Sequence, residues 1–208
     1  SRRAQRCSAG TFPAMPYTDV PAFMQRLRDQ PSLSSSALQF LILTAARTNE
    51  VLGAQWSEID LDNKVWTIPG GRQGRMKGGR EHRVPLAPQA IALLEALPRV
   101  AGNPYLFPGA RAGRPLSNMA LLQLMRGMGH GVGGTLSSAV PHGFRSSFRD
   151  WSGEVSSFPR DVCEMALAHA IANKVEAAYR RGGLFLKGRP PPGAWGGYRP
   201  ARGGQGGF

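Results

Sequence analysis

The sequence predicts an α+β fold, mainly α-helical, with one small antiparallel β-hairpin or sheet. Three observations predict it. Apolar residues recur at helical spacing over most of the chain, as in Val20, Phe23, Met24 and Leu27. The period changes once, at Lys64 to Ile68, where β-branched and aromatic residues alternate. A glycine-rich stretch containing Gly70, Gly71, Gly74, Gly78 and Gly79 then separates that run from a second extended segment, Arg80 to Leu86.

Each element has a local reason. Thr18 is placed to cap the first helix, which Pro31 stops. Ser34 to Ser36 offer caps for an apolar helix over 37–46, and Thr48 caps a short one that turns Val51 and Leu52 inward. Asp62-Asn63 signals the turn before the first strand. Pro88 opens a helix with Ile91, Leu94 and Leu97 in register. Tyr105-Leu106-Phe107 reads as a short buried segment, and Ser117 or Asn118 caps a helix carrying Leu121, Leu122, Leu124, Met125 and Met128. After a glycine-rich loop at 129–134, Pro141 leads into a helix burying Phe144, Phe148 and Trp151. Two further helices are expected, over 160–167 and 173–181. No internal repeat is evident.

Charge narrows the class of partner. The formal net charge is +13, and residues 64–149 alone carry a net +10 from twelve basic and two acidic residues. The flanking segments 13–63 and 150–179 are each net −3, whereas residues 1–12 and 180–208 are basic and contain no acid. A basic excess concentrated within the folded body points to a polyanion, since neutralising phosphates releases condensed counterions. A basic surface that merely aids solubility is the competing explanation. Arg72, Arg75, Arg80 and Arg83, on and beside the hairpin, are the candidate DNA-binding residues. The two cysteines, Cys7 and Cys163, form no paired metal-binding pattern and read as free thiols of a reducing compartment. No run approaches the ~20 apolar residues of a membrane span, and Arg2, Arg3 and Arg6 lack the apolar block of a signal peptide. Residues 188–208, rich in Gly, Pro and Arg, are expected to be a flexible basic tail.

Six side chains make a chemical set. Arg47 closes an apolar helix, with Glu50 one turn on to hold its guanidinium. Lys77 sits at the hairpin tip, and His142 and Arg145 are three apart at a helix start and so share a face. His169 follows Ala166-Leu167-Ala168, and Tyr179 lies in the segment 173–181. Any one alone has an ordinary structural explanation: a helix-terminal charge, a solvated loop lysine or a packed aromatic. His82 is read as a packing residue. Together they suit phosphoryl transfer without a metal. Two guanidinium forks and a histidine can stabilise charge on the non-bridging oxygens. A phenol, with a pKa of about 10, needs a nearby proton acceptor, and a mobile lysine can protonate a leaving oxygen.

The runs Leu43-Thr44-Ala45-Ala46-Arg47-Thr48-Asn49-Glu50-Val51, Met76-Lys77-Gly78-Gly79-Arg80-Glu81-His82-Arg83-Val84-Pro85-Leu86, Pro141-His142-Gly143-Phe144-Arg145-Ser146-Ser147-Phe148 and Leu167-Ala168-His169 through Tyr179 resemble, in order, the four active-site boxes of the tyrosine recombinase (phage integrase) family. The match is of the prophage and genomic-island type and covers roughly residues 13–187. The resemblance implies the catalytic-domain fold of that family, with the lysine on the β-hairpin, and cofactor-free site-specific recombination of double-stranded DNA. Arg47 and Arg145 would clamp the scissile phosphate. His142 would accept or position the tyrosine proton, and His169 would donate to a non-bridging oxygen. Lys77 would protonate the 5′ oxygen, and Tyr179 would form a 3′-phosphotyrosine intermediate. A bacterial, cytoplasmic, nucleoid-associated enzyme is expected. The organisation read from the chain is a basic leader (1–12), a catalytic domain (13–187) and the basic tail (188–208). The family's preceding DNA-binding domains do not fit into the leader, so a catalytic domain alone is expected. Pro190-Pro191-Pro192 interrupts the helix through which relatives dock on a neighbouring protomer, which weakens the expectation of a homo-tetramer on DNA. A catalytically impaired DNA-binding remnant is the alternative, and a structural basic protein a third reading that the complete residue set disfavours.

Overall fold

The computed structural model describes residues 12–71, 81–155 and Leu167. Its elements are α1 (Val20–Arg28), α2 (Leu33–Thr44), α3 (Thr48–Leu52), β1 (Ile59–Asp60), β2 (Val65–Ile68), β3 (His82–Pro85), α4 (Pro88–Glu95), α5 (Asn118–Gly127) and α6 (Phe144–Glu154), with 3-10 turns at Trp56–Glu58 and Pro141–Gly143. The expected helices over 160–167 and 173–181, the tail and both cysteines lie outside the described residues, apart from Leu167, which is buried. Among the described residues, no helix is long and apolar enough to cross a membrane.

α2 is the axis of the domain. It is apolar on almost every face, with Ala37, Leu38, Phe40, Leu41, Ile42 and Leu43 buried, so it is stable only with neighbours all round. α1, α3, α4 and α5 pack around it. The Phe40 ring fills the gap between α2 and the sheet, with its centroid 5.2 Å from Trp66 and 5.8 Å from Phe107.

The strands form one antiparallel sheet in the order β1-β2-β3. Trp66 pairs with Val84 and Ile68 with His82, and this register turns Trp66, Ile68 and Val84 into the core while Arg83 faces solvent. β1, which the alternation did not predict, adds Ile59 opposite Trp66. It is two residues long and lacks a period of its own. The turn between β1 and β2 is held by Asp60, whose carboxylate accepts from the Asn63 backbone N–H at 2.8 Å and from Nδ2 at 2.7 Å. Its left-handed residue is Lys64, at φ 55°.

Several boundaries differ from expectation for identifiable reasons. α1 is preceded by Asp19 rather than capped by Thr18, whose hydroxyl donates to the Asp19 carboxylate at 3.3 Å. α2 begins four residues earlier than expected because Ser32 Oγ, not Ser34–Ser36, accepts from the Ser35 N–H at 3.0 Å. Ser35 Oγ donates instead to the Leu27 carbonyl, tying α2 to α1. α2 ends at Thr44 because buried Ala45 turns left-handed, at φ 51°. Arg47, not Thr48, is the N-cap residue of α3. β3 starts at His82 rather than Arg80, which is not among the described residues, and Leu97 lies beyond the end of α4. Pro141 opens a 3-10 turn before α6 rather than an α-helix.

Truncating Phe40 to Ala removes a fully buried ring shared by α2 and the sheet, and is expected to destabilise the domain by about 3–5 kcal/mol. Urea denaturation checks this, and a loss below about 1 kcal/mol would refute the central place given to α2.

Candidate active site

The left-handed turn at Ala45 creates the site's first half. By ending α2 abruptly, it lets the chain run extended through Arg47 (φ −76°, ψ 148°) before α3 starts. The Glu50 carboxylate, in the first turn of α3, then reaches back. One oxygen accepts from the Arg47 backbone N–H at 2.8 Å, and the other from guanidinium Nη1 at 2.8 Å. Glu50 is only 2% exposed while the Arg47 side chain is 26% exposed, so a buried anion holds a cation that still reaches solvent. A guanidinium fixed by one carboxylate in this way keeps its charge and loses much of its rotamer freedom.

The second half comes from the turn preceding α6. His142 lies on the 3-10 turn and Arg145 in the first turn of α6. Arg145 is buried. Its Nη1 donates to the Ala45 carbonyl at 2.6 Å and its Nη2 to the Leu167 carbonyl at 2.5 Å. Its guanidinium therefore joins the end of α2, the start of α6 and the chain near position 167. The half-buried His142 imidazole has its pKa held below the ordinary value, first by burial and then by repulsion from the Arg145 and Arg47 guanidiniums, with Glu50 acting weakly the other way. The structure thus brings Arg47, Glu50, His142 and Arg145 into one electrostatic neighbourhood. The two guanidiniums favour an anion beside them and disfavour a proton on the imidazole.

A cavity of about 320 Å³ opens at His142, walled by Phe12, Thr48, Asn118, Leu122 and Pro141 among others. Thr48 follows Arg47 directly, and Asn118, at the start of α5, donates to the Asn49 side chain at 3.3 Å. The wall is a joint product of α3, α5, the 3-10 turn and the segment before α1.

Other candidates are placed less completely. Lys77, His169, Tyr179, Arg72, Arg75 and Arg80 lie outside the described residues. Lys77 falls in the segment between β2 and β3, whose last pair is Ile68–His82, so the two strands pair as expected although each is shorter than expected. Arg83 is exposed on β3, and His82 is half-buried opposite Ile68. Sequence reasoning missed Phe12, whose ring meets His142 edge-on at 4.5 Å between centroids, and Asn118 as a partner of Asn49. It also missed His130, in the loop after α5, where Nδ1 lies 2.8 Å from Ser137 Oγ and the ring packs against Phe23. These contacts join residues far apart in the chain, and no local period announces them.

A mainly helical domain with a small antiparallel sheet, in which an arginine after the second helix meets a His-x-x-Arg turn, defines a class. The chain belongs to the phage integrase family, whose model matches residues 14–182. It is 34% identical over 182 residues to the integrase of Enterobacteria phage P4, covering 81% of this chain and 40% of that protein. It is likewise 34% identical over 183 residues to the prophage integrase IntA of Escherichia coli (strain K12), covering 86% of this chain and 42% of that protein. The chain thus spans well under half the length of these curated relatives. In fold it is similar to XerA recombinase, with a TM-score of 0.58 at 17% identity over 82% of this chain and 65% of that one. It is also similar to lambda integrase in a tetramer bound to a Holliday junction, with a TM-score of 0.56 at 17% identity over 81% of this chain and 50% of that one.

Two outcomes follow from the site's electrostatics. Glu50→Ala removes the buried partner of Arg47 and should cost about 1–3 kcal/mol of stability, whereas Glu50→Gln, which keeps an acceptor for the Arg47 N–H, should cost less; equal losses in denaturant titrations would argue against the charge–charge contact. The depressed pKa of His142 means that the unfolded chain binds this proton more readily than the folded one. Its stabilising contribution is present above the unfolded value of about 6.5 and is lost as pH falls through that value toward the folded one. The fall in unfolding free energy from pH 7.5 to 5.5 should be smaller in His142→Gln than in the wild type, and an unchanged fall would contradict the assignment.

Proposed function

We propose that this chain is the catalytic part of a site-specific DNA recombinase that cleaves and rejoins strands through a 3′-phosphotyrosine. The observation that carries the reading is the meeting of Arg47, held by buried Glu50, with Arg145 and an imidazole kept below its ordinary pKa. The two cations draw in the scissile phosphate and stabilise the charge that builds on its non-bridging oxygens. The Tyr179 phenol attacks phosphorus while its proton passes to His142. The bond to the 5′ oxygen breaks as Lys77 donates a proton to that oxygen, and His169 donates to a non-bridging oxygen. Rejoining is the reverse attack by a 5′ hydroxyl, so the phosphodiester bond energy is conserved and the scheme calls on no cofactor. Chain connectivity supports these assignments. His169 is two residues beyond the carbonyl that accepts from Arg145, and Lys77 belongs to the hairpin closed by Ile68 and His82.

The substrate in this reading is double-stranded DNA, with Arg72, Arg75, Arg80 and the exposed Arg83 contacting its backbone from the hairpin. The catalytic body is residues 13–187, between a basic leader and a basic tail. In this reading it acts on DNA in the bacterial cytoplasm, at the nucleoid. Action as a tetramer on DNA, the state in which lambda integrase was seen on a Holliday junction, accords with the shared fold, although Pro190-Pro191-Pro192 disfavours one route of docking between protomers.

A pool of nicked duplexes with randomised core sequence, on which cleavage releases a short fragment and cannot reverse, tests the reading. Wild type should form a protein–DNA adduct that survives denaturant, and Tyr179→Phe should form none. Retardation of the pool without any adduct would favour a binding-only remnant. Lys77→Ala should slow cleavage of ordinary DNA by about 100-fold or more, yet spare a 5′-phosphorothiolate substrate, whose leaving sulfur needs no proton. Equal losses on both substrates would remove Lys77 from the acid role.

A further inference from the structure

The segment just before α1 is fastened onto the turn that carries His142. The Pro13 carbonyl accepts from the Val140 N–H at 3.2 Å, and the Met15 carbonyl accepts from Ser147 Oγ at 2.5 Å. Gly143 permits the approach, since a Cβ at that position would overlap the Pro13 carbonyl. Tyr17 extends the attachment by donating to the Glu154 carboxylate at 2.9 Å, at the far end of α6. At the head of this strap, the Phe12 ring stands edge-on to the imidazole of His142, with centroids 4.5 Å apart and planes at 68°. Phe12 is nevertheless 54% exposed and is not part of the buried core. A large aromatic side chain left half in water, yet set in van der Waals contact with a proposed proton acceptor, contributes little to stability that a smaller residue could not.

We propose that Phe12 is a positioning residue for His142: its ring fixes the imidazole's orientation and shields it from water on the cavity side. The inference deepens the recombinase reading, on which its kinetic consequence rests. The contact itself stands independently of that reading. Shielding acts in the direction that burial acts on this histidine, disfavouring the protonated ring. The charged groups that face the imidazole are Arg145, Arg47 and Glu50, and Phe12 adds none, so its influence is through solvent exclusion and ring geometry alone.

Imidazole resonances of the whole 208-residue chain, titrated between pH 5 and 8 with His142 assigned by its loss in His142→Gln, test the proposal. Phe12→Ala should move the His142 midpoint upward and abolish the ring-current displacement of its carbon-bound protons, while leaving His130 unmoved as an internal measure of folding. Phe12→Tyr should restore both. Phe12→Leu keeps apolar bulk without a ring and should also abolish the displacement, so it supplies the same test if the alanine variant fails to fold. A His142 midpoint and shift unchanged in Phe12→Ala and in Phe12→Leu would overturn the proposal. In the nicked-duplex assay, the acid limb of adduct formation should move to higher pH in Phe12→Ala and return in Phe12→Tyr. Absence of any adduct from wild type would count against the recombinase reading alone, because the resonance titration reads the Phe12–His142 relation without turnover.

Discussion

The site depends on one guanidinium used as a structural tie. Arg145 is buried at the start of α6 and donates to two backbone carbonyls, at Ala45 and at Leu167, one 100 and the other 22 residues away in sequence. A buried cation is tolerable only where hydrogen bonds replace its lost hydration, and carbonyl acceptors do so without cancelling its charge. Arg47 is held by a carboxylate, and its guanidinium remains partly open to solvent. Each guanidinium is thus oriented by acceptors that the fold brings to it from another part of the backbone or the next turn.

A second constraint ties acid–base chemistry to the fold. His142 is set by its surroundings: partial burial first, then the proximity of both arginines. The two arginines therefore act on the imidazole as well as on the local potential, and loss of either would raise the imidazole's affinity for its proton.

Much of this was legible in the sequence. The α+β class, the hairpin strands and the inward-facing Phe144, Phe148 and Trp151 follow from local period, and the pairs Arg47 with Glu50 and His142 with Arg145 from short spacing; joining the two pairs took the chemical inventory and the family resemblance. Helix limits were less legible because serines and threonines can cap or be capped. Ser32 rather than Ser34–Ser36 won at α2, where Ser35 was drawn to the Leu27 carbonyl. β1 was hidden by its two-residue length. The partners of the site residues were invisible for a deeper reason. Arg145 to Ala45, Phe12 to His142 and Asn118 to Asn49 are contacts between distant segments, and no periodicity encodes them. Sequence names the chemical groups; packing decides what each one touches.

The left-handed turn at Ala45 has a consequence for the protein's history of mutation. Among the residues one nucleotide away from an alanine codon, glycine alone relieves the backbone conformation at φ 51° without adding volume to a fully buried position. Valine and threonine bring a second branch against the following carbonyl, serine adds a hydroxyl to a fully buried position, proline cannot take a positive φ, and aspartate or glutamate would bring an uncompensated charge into the core. Position 45 is therefore a narrow gate in sequence space. A lineage that leaves alanine there has few single steps open to it, and nearly all of them disturb the carbonyl on which Arg145 rests.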